Sequence, residues 1–292
     1  MTLVIGIANK REHSLLISSD SKASKGETFE LVRKVRTIEV ENKKIVLCIF
    51  GGAGDASLLE RAYSISSDIF NGHFSQAVES NDEVDSNFLS QRNFAQIIDE
   101  INCKMQEETQ ISSERITLKH KYREGYHDPT NWRFIIGGLT SDKQLPQLYL
   151  LSAYAEPLPR HDDPGFAAIG NGSAGAEILM SMLGVSQKRL ERWDPDILCS
   201  FLIDTVSTVY QGVSNFLDPN NSLLMTRTSD GEIRCGPLKK KGLVSVKNEL
   251  KKRLSLIQTM WDLCESEFGT STKIERLLNQ LKKARNDGNF SK

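Results

Sequence analysis

The chain has 292 residues, of which 39% are hydrophobic and 26% are charged, and its formal net charge is −1. This length is enough for one large core, or for one domain with an appendage. The near-neutral charge gives no reason to expect a nucleic acid or an anionic membrane as a partner, and the chain has no apolar run long enough to span a bilayer.

The five cysteines are widely spaced and contain no C-x-x-C pair. This usage is typical of reduced thiols, and together with the lack of a secretory signal it predicts a cytoplasmic protein. Neither a P-loop nor a G-x-G-x-x-G motif precedes a predicted helix, and the histidines form no spaced pair. We therefore expect no cofactor and no metal.

The first 50 residues predict four strands in two hairpins. Residues 3–8 and 14–19 are apolar runs, residues 31–40 alternate, and residues 45–50 are continuously apolar. Successive strands joined by short turns indicate an antiparallel sheet that is covered on at least one face.

The middle of the chain predicts two amphipathic helices. After the glycine cluster at 51–54, apolar residues recur at helical spacing over 58–69 and again over 94–105. Residues 71–90 are polar and show no period, so we expect a loop there. Residues 109–131 are charged and aromatic, also without a period.

The second half returns to strands and then to helices. Three strands are predicted: 134–139, 148–153 and 166–170. The longer of two following helices spans about 195–216, and Asp230-Gly231 predicts a tight turn in a closing hairpin. Grouping strands with strands and helices with helices favours stacked antiparallel sheets with helices outside, an α+β fold, over a doubly wound parallel sheet.

The last 52 residues, 241–292, differ from the rest. From Leu250 to Phe268 large apolar residues step by three and four, and Thr272 with Glu275 forms a capping box. This pattern predicts a C-terminal helical extension that packs either on its own core or on a partner surface. We therefore divide the chain into a domain at 1–240 and an extension at 241–292.

Thr2 stands directly behind the start methionine and ahead of the first strand. It is simply a strand residue in one interpretation. In the other, removal of Met1 leaves Thr2 with a free α-amine beside its hydroxyl, so that one residue carries both a nucleophile and a general base.

Several segments in order point to the second interpretation: the strand behind Thr2, LLISSDSKAS, KVRTIEV, IFGGAGDASL, AIGNGSAGAEIL and TRTSDGEIR. Together they resemble the β-type proteasome subunits of the N-terminal nucleophile hydrolases, and among these the simpler bacterial and archaeal homologues. The resemblance spans about residues 2–236. It implies a four-layer αββα sandwich of two antiparallel sheets, with an enlarged excursion at 71–132.

The resemblance also implies a set of catalytic residues: Thr2, Asp20, Lys34, Gly51 and Ser173. A buried Lys34 ammonium paired with Asp20 would lower the pKa of the Thr2 amine by like-charge repulsion. The Gly51 turn would supply a backbone N–H to the oxyanion.

Alternatives remain open at these positions. Arg33 is a rival to Lys34, Asp20 is suited to a turn, and Ser173 is suited to a helix N-cap. The family's Asp and Ser near the end of the long helix fall around Asn215 and Asp218 without a clean match, so the group that supports the α-amine is not assigned.

The resemblance implies a threonine-type peptidase or amidohydrolase that works through an acyl-enzyme on peptide or protein substrates. The alternatives are a catalytically silent structural subunit and a transpeptidase or ligase that uses the same acyl-enzyme. We expect a homo-oligomer, as a ring or stacked rings, in contact through the apolar stripes at 58–69 and 94–105. An ATPase or adaptor is a further expected partner.

Overall fold

A computed structural model describes residues 3–20, 23–25, 28–30, 34–40, 45–80, 89–119, 130, 132–141, 145–182, 194–209, 213, 217–238 and the single positions 248, 252, 255 and 279. Internal packing divides the chain into two compact units, Met1–Leu243 and Val244–Lys292. Almost all of the predicted extension at 241–292 lies outside the described residues, so its helices stay predictions. Residue 2 also lies outside them.

Two antiparallel five-stranded sheets form the centre of the first unit. The first sheet has the order β10-β1-β2-β11-β12, with β10 at Phe166–Gly170, β1 at Leu3–Asn9, β2 at Ser14–Asp20, β11 at Leu217–Arg227 and β12 at Ile233–Pro237. The second sheet runs in chain order, with β5 at Val35–Glu39, β6 at Val46–Gly54, β7 at Trp132–Leu139, β8 at Pro146–Ser152 and β9 at Ala155–Pro159. A separate short hairpin pairs β3 (Ala23–Lys25) with β4 (Thr28–Glu30).

Helices cover the outer face of each sheet. Helices α1 (Ala56–Ser80) and α2 (Gln91–Lys119) share a core with the second sheet, and α3 (Ser173–Met182) and α4 (Pro195–Val209) share one with the first. A third core lies between the two sheets. The layers are therefore helix, sheet, sheet and helix, which confirms the predicted αββα sandwich of the α+β class.

Strand β1 shows how the sequence specifies these layers. Its side chains alternate, so that Leu3 and Ile5 pack towards the helices while Val4 and Ala8 pack between the sheets. Both faces of this strand are buried, and for that reason its sequence is apolar throughout.

The loop predicted at 71–90 is wrong for residues 71–80, which continue α1. The helical stripe extends through Phe70 and Phe74, which are both buried. The residues between and after these two are mostly polar and mostly lie on the exposed face, so the helical period is not evident from the sequence. Helix α2 likewise continues to Lys119, past the last apolar residue of the predicted stripe.

Two further boundaries and three short strands differ from the prediction. The glycines at 51–54 belong to strand β6 and not to a turn. Helix α4 ends at Val209, and Val213 lies in a bend where its side chain still packs in the helix-covered core. Strand β9 and the β3–β4 hairpin were not predicted, since both are short and β9 has little buried surface.

The apolar stripes predicted to join subunits are used within the chain. The α2 residues of the stripe are almost completely buried against the second sheet: Phe94, Ile97, Ile98, Ile101 and Met105. The prediction that the stripe at 94–105 contacts another subunit is therefore wrong. Among the described residues, the exposed large apolar side chains lie outside these two stripes, at Ile111, Tyr154, Leu158, Ile178, Met182 and Val209. In the part of the chain that is described, no helix is long and apolar enough to cross a membrane.

Candidate active site

A buried ion pair joins β2 to the residue that precedes β5. The Lys34 Nζ lies 2.9 Å from Asp20 Oδ1, and it also donates to the Asp20 backbone oxygen at 3.1 Å. The two side chains are only 4% and 0% exposed. Burial lowers the pKa of the Lys34 ammonium, while the Asp20 carboxylate raises that pKa and so favours the charged form. The rival Arg33 lies outside the described residues.

The same carboxylate oxygen also holds the start of β1. The backbone N–H of Leu3 donates to Asp20 Oδ1 at 2.9 Å. This contact follows from the β1–β2 register, in which Val4 lies opposite Ser19, so that the end of β2 meets the start of β1. The predicted nucleophile, Thr2, is outside the described residues, but the residue that follows it is bound to the Lys34 partner.

Gly51 lies where the second sheet packs tightly on the first. A Cβ atom at this position would lie 2.7 Å from Ile17 Cγ2 and 2.9 Å from Val4 Cγ1, both on the opposite sheet. Only glycine fits here without displacing these strands. Gly51 thus packs against Val4 of β1, which is two residues after Thr2 in the sequence.

The hydrogen bonds of β6 bear on the predicted oxyanion role of Gly51. The N–H of the next residue, Gly52, donates to the Lys34 backbone oxygen at 3.0 Å. Because N–H groups alternate in direction along a strand, the Gly51 N–H points to the other edge, towards β7, where Ile135 is its register partner. The role of this N–H as an oxyanion donor stays a prediction.

Ser173 begins α3 on the opposite side of β1 from Asp20. Strand β10 pairs with β1 so that Gly170 lies opposite Leu3, and the chain then turns into α3. Gly170 has a φ of 93°, which glycine adopts readily. Ser173 therefore lies at the same end of the sandwich as Asp20, Lys34 and Gly51.

A cavity of about 310 Å³ opens beside Ser173. It lies between β7, β8, β10 and the first turn of α3. Its polar lining comes from four residues: Arg133, Ser152, Ser173 and Glu177. Arg133 and Glu177 are exposed, and neither forms an ion pair with any other residue that the structure describes. The cavity therefore offers one cation and one carboxylate to a ligand.

Sequence reasoning missed Asn221. This residue of β11 is buried, and its Oδ1 accepts a hydrogen bond from the Lys34 backbone N–H at 2.9 Å. The available signal was weak: two asparagines between a proline and an apolar run. Of the two positions considered instead, Asn215 lies outside the described residues, and Asp218 belongs to β11 but its side chain is not described.

Residues 161–165, HDDPG, place a histidine beside the second sheet. His161 is buried, and its Nδ1 lies 3.3 Å from the backbone oxygen of Leu148. Burial lowers the pKa of this imidazole, while Leu148 and Asp162 act in the opposite direction. Over the described ranges, His, Cys, Asp and Glu form no group of three that could hold a metal ion.

The fold is the proteasome-related β-subunit fold. No family model matches the sequence, and no curated protein matches it either. Among solved structures, the chain is similar to two of Anbu from Hyphomicrobium sp. strain MC1. Anbu is a bacterial proteasome-like protein of the N-terminal nucleophile type.

The two structures match most of the chain at low identity. The Anbu (Gly-1) mutant is 15% identical with a TM-score of 0.59, and the match covers 90% of this chain and 100% of that one. The second Anbu structure is 16% identical with a TM-score of 0.58 and coverages of 92% and 100%. At this identity the similarity shows the fold alone.

Proposed function

We propose that this chain is a threonine-type N-terminal nucleophile hydrolase, a peptidase or amidohydrolase whose nucleophile is Thr2 after removal of Met1. The observation that carries the proposal is the shared acceptor: Asp20 Oδ1 binds both the Leu3 N–H and the Lys34 ammonium. Residue 2 is therefore one peptide unit away from a buried, charge-balanced pair.

The alternation of side chains along β1 supports the role proposed for Thr2. Val4 packs between the sheets, and side chains alternate along a strand. If β1 continued back by one residue, the side chain at position 2 would share the face of Val4. That face is turned towards the second sheet, where Val4 packs against Gly51.

The chemistry follows from the groups. An α-amine has a pKa of about 8, so that a useful fraction is neutral at pH 7 and can accept the threonine hydroxyl proton. The hydroxyl oxygen then attacks the carbonyl carbon, the amine returns its proton to the leaving group, and an ester acyl-enzyme remains. The Lys34 charge favours the neutral amine by repulsion and stabilises negative charge on the oxygen. Water completes the reaction by the same proton transfers.

The proposed partners rest on the sequence resemblance. They are peptide or protein substrates, further copies of this chain in a ring or stacked rings, and an ATPase or adaptor. Light scattering at micromolar concentration tests the assembly, since a monomer would contradict it.

The function is tested by intact mass measured before and after incubation with an epoxyketone, a reagent that reacts with a hydroxyl and an amine of the same residue. We expect loss of Met1 and addition of one reagent molecule per chain, mapped to Thr2. The Thr2→Ser variant should react, and Thr2→Ala should not, although both should fold.

A chain that keeps Met1 and does not react would contradict the hydrolase and favour the silent subunit. If the chain reacts, incubating it with a peptide substrate and an added amine as competing acyl acceptor separates the remaining alternatives. Hydrolysis gives only the free acid, while a ligase gives the amide.

A further inference from the structure

Both backbone polar groups of Lys34 are held, and they are held by different sheets. Its C=O accepts from Gly52 of the neighbouring strand at 3.0 Å. Its N–H lies outside the β5–β6 ladder, because the register of these two strands begins at Val35 opposite Gly51. That N–H donates instead to Asn221 Oδ1 of β11, in the first sheet.

An irregularity in β11 makes this reach possible. Leu217 lies opposite Asp20 and Ser222 lies opposite Ser18, so five steps along β11 face two steps along β2. Such bulges redirect side chains away from the regular pleat. The bulge ends where Ser222 Oγ meets Ser18 Oγ at 2.6 Å, and Asn221 is its last residue before that contact.

We propose that Asn221 is a positioning residue for the reaction assigned to Thr2, acting through the backbone of Lys34. This inference rests on the proposed function. By fixing the Lys34 backbone from the opposite sheet, Asn221 determines where the ammonium meets Asp20 and how close it lies to residue 2. A carboxamide suits this task because it accepts the N–H without placing a second carboxylate beside the ion pair.

The test compares three variants. Asn221→Ala removes the acceptor, and Asn221→Asp keeps an oxygen acceptor but adds a charge. Asn102→Ala is the matched control, because Asn102 is also a buried asparagine but lies in α2. If Asn221→Ala does not fold, Asn221→Ser replaces it, since a serine hydroxyl is too short to reach the Lys34 N–H.

Two rates are measured on each protein: modification of Lys34 by an amine-specific acylating reagent, followed by peptide mass, and epoxyketone addition to Thr2 across pH. For Asn221→Ala we expect Lys34 modification to rise at least tenfold. We expect the Thr2 rate at pH 7 to fall at least tenfold, with the midpoint of its pH profile moved upwards. Asn221→Asp should leave the rate of Lys34 modification low, while the midpoint of the pH profile of the Thr2 rate also rises. Asn102→Ala should match the wild type in both rates.

The two readouts separate the two hypotheses. A wild-type chain that does not react at Thr2 contradicts the proposed function, and the Lys34 rate still tests the contact with Asn221. A folded Asn221→Ala protein whose Lys34 rate is within twofold of the wild type overturns the positioning role. The positioning role is also overturned if the Lys34 rate rises but the Thr2 rate and its pH profile do not change.

Discussion

The Lys34 ammonium and the Asp20 carboxylate lie 2.9 Å apart with almost no contact with water. Removing a charged group from water costs several kcal/mol, and only the partner and its hydrogen bonds offset that cost. The pair is thus poorly suited to increasing stability but well suited to holding a charge at a fixed place.

We expect Lys34→Met to lower the free energy of unfolding by about 3–5 kcal/mol, because it leaves the Asp20 carboxylate buried without its cation. The double variant Asp20→Asn with Lys34→Met should recover much of this loss, while reaction at Thr2 is abolished in both. Urea denaturation gives the free energies. As a control, Lys104→Met breaks an exposed pair with Glu107 and should leave stability almost unchanged, because water screens that pair. Equal effects of Lys34→Met and Lys104→Met would contradict the prediction.

Gly51→Ala should destabilise the fold by about 1–3 kcal/mol, because the added methyl would overlap Ile17 and Val4 across the sheets. Gly72→Ala is the counterpart: it lies within α1 with no atom near the new methyl, and should stabilise by about 0.5–1 kcal/mol. Thermal melts of the two proteins should therefore move in opposite directions. A Gly51→Ala protein that melts at or above the wild-type temperature would show that the packing around Gly51 is not restrictive.

Stability should fall as the pH is lowered below the ordinary pKa of histidine. Burial lowers the pKa of His161 in the folded state, so between the two pKa values the unfolded chain binds more protons than the folded one. Above the unfolded pKa this residue contributes no pH dependence. Replacing His161 by Gln should flatten the curve of unfolding free energy against pH in this window. His73, which is partly buried and pairs with Glu100, serves as the control, and His73→Gln should keep the fall in stability.

Arg133 should influence substrate choice if the cavity beside Ser173 receives part of the substrate. Arg133→Glu would leave two carboxylates in the cavity, so we expect kcat/KM for peptides with acidic residues near the cleaved bond to fall about tenfold relative to neutral ones. The control Arg234→Glu makes the same charge change on β12 and should not alter this ratio. An unchanged preference in Arg133→Glu would place substrate binding elsewhere.

The sequence predicted those features whose signals are local. The alternation and turns of the early strands predicted their pairing, and Asp230-Gly231 predicted the closing turn, where Gly231 has a φ of 86°. The resemblance located Asp20 and Lys34, and the structure brings these two together. Their catalytic roles stay predictions.

What could not be predicted depends on distant residues. Asn221 meets Lys34 across 187 residues, through a bulge that no sequence period announces. The last turns of α1 carry few apolar residues, because Phe74 and Val78 are enough to pack them on the core, and a pattern search therefore ends too early.

The strand order of the first sheet has a consequence for the timing of folding. Strands β1 and β2 are made first, but their neighbours β10 and β11 come from the last half of the chain. Contacts between such distant segments form late. At typical synthesis rates, Asn221 leaves the ribosome on the order of 10–40 s after Lys34. Throughout that interval the nascent chain carries Thr2, the proposed nucleophile, without the surroundings that the proposed mechanism requires. On that proposal, the order of synthesis delays the chemistry until the domain is complete. Protease digestion of ribosome-bound chains stopped before and after residue 221 would show whether protection of the first strands appears only after this point.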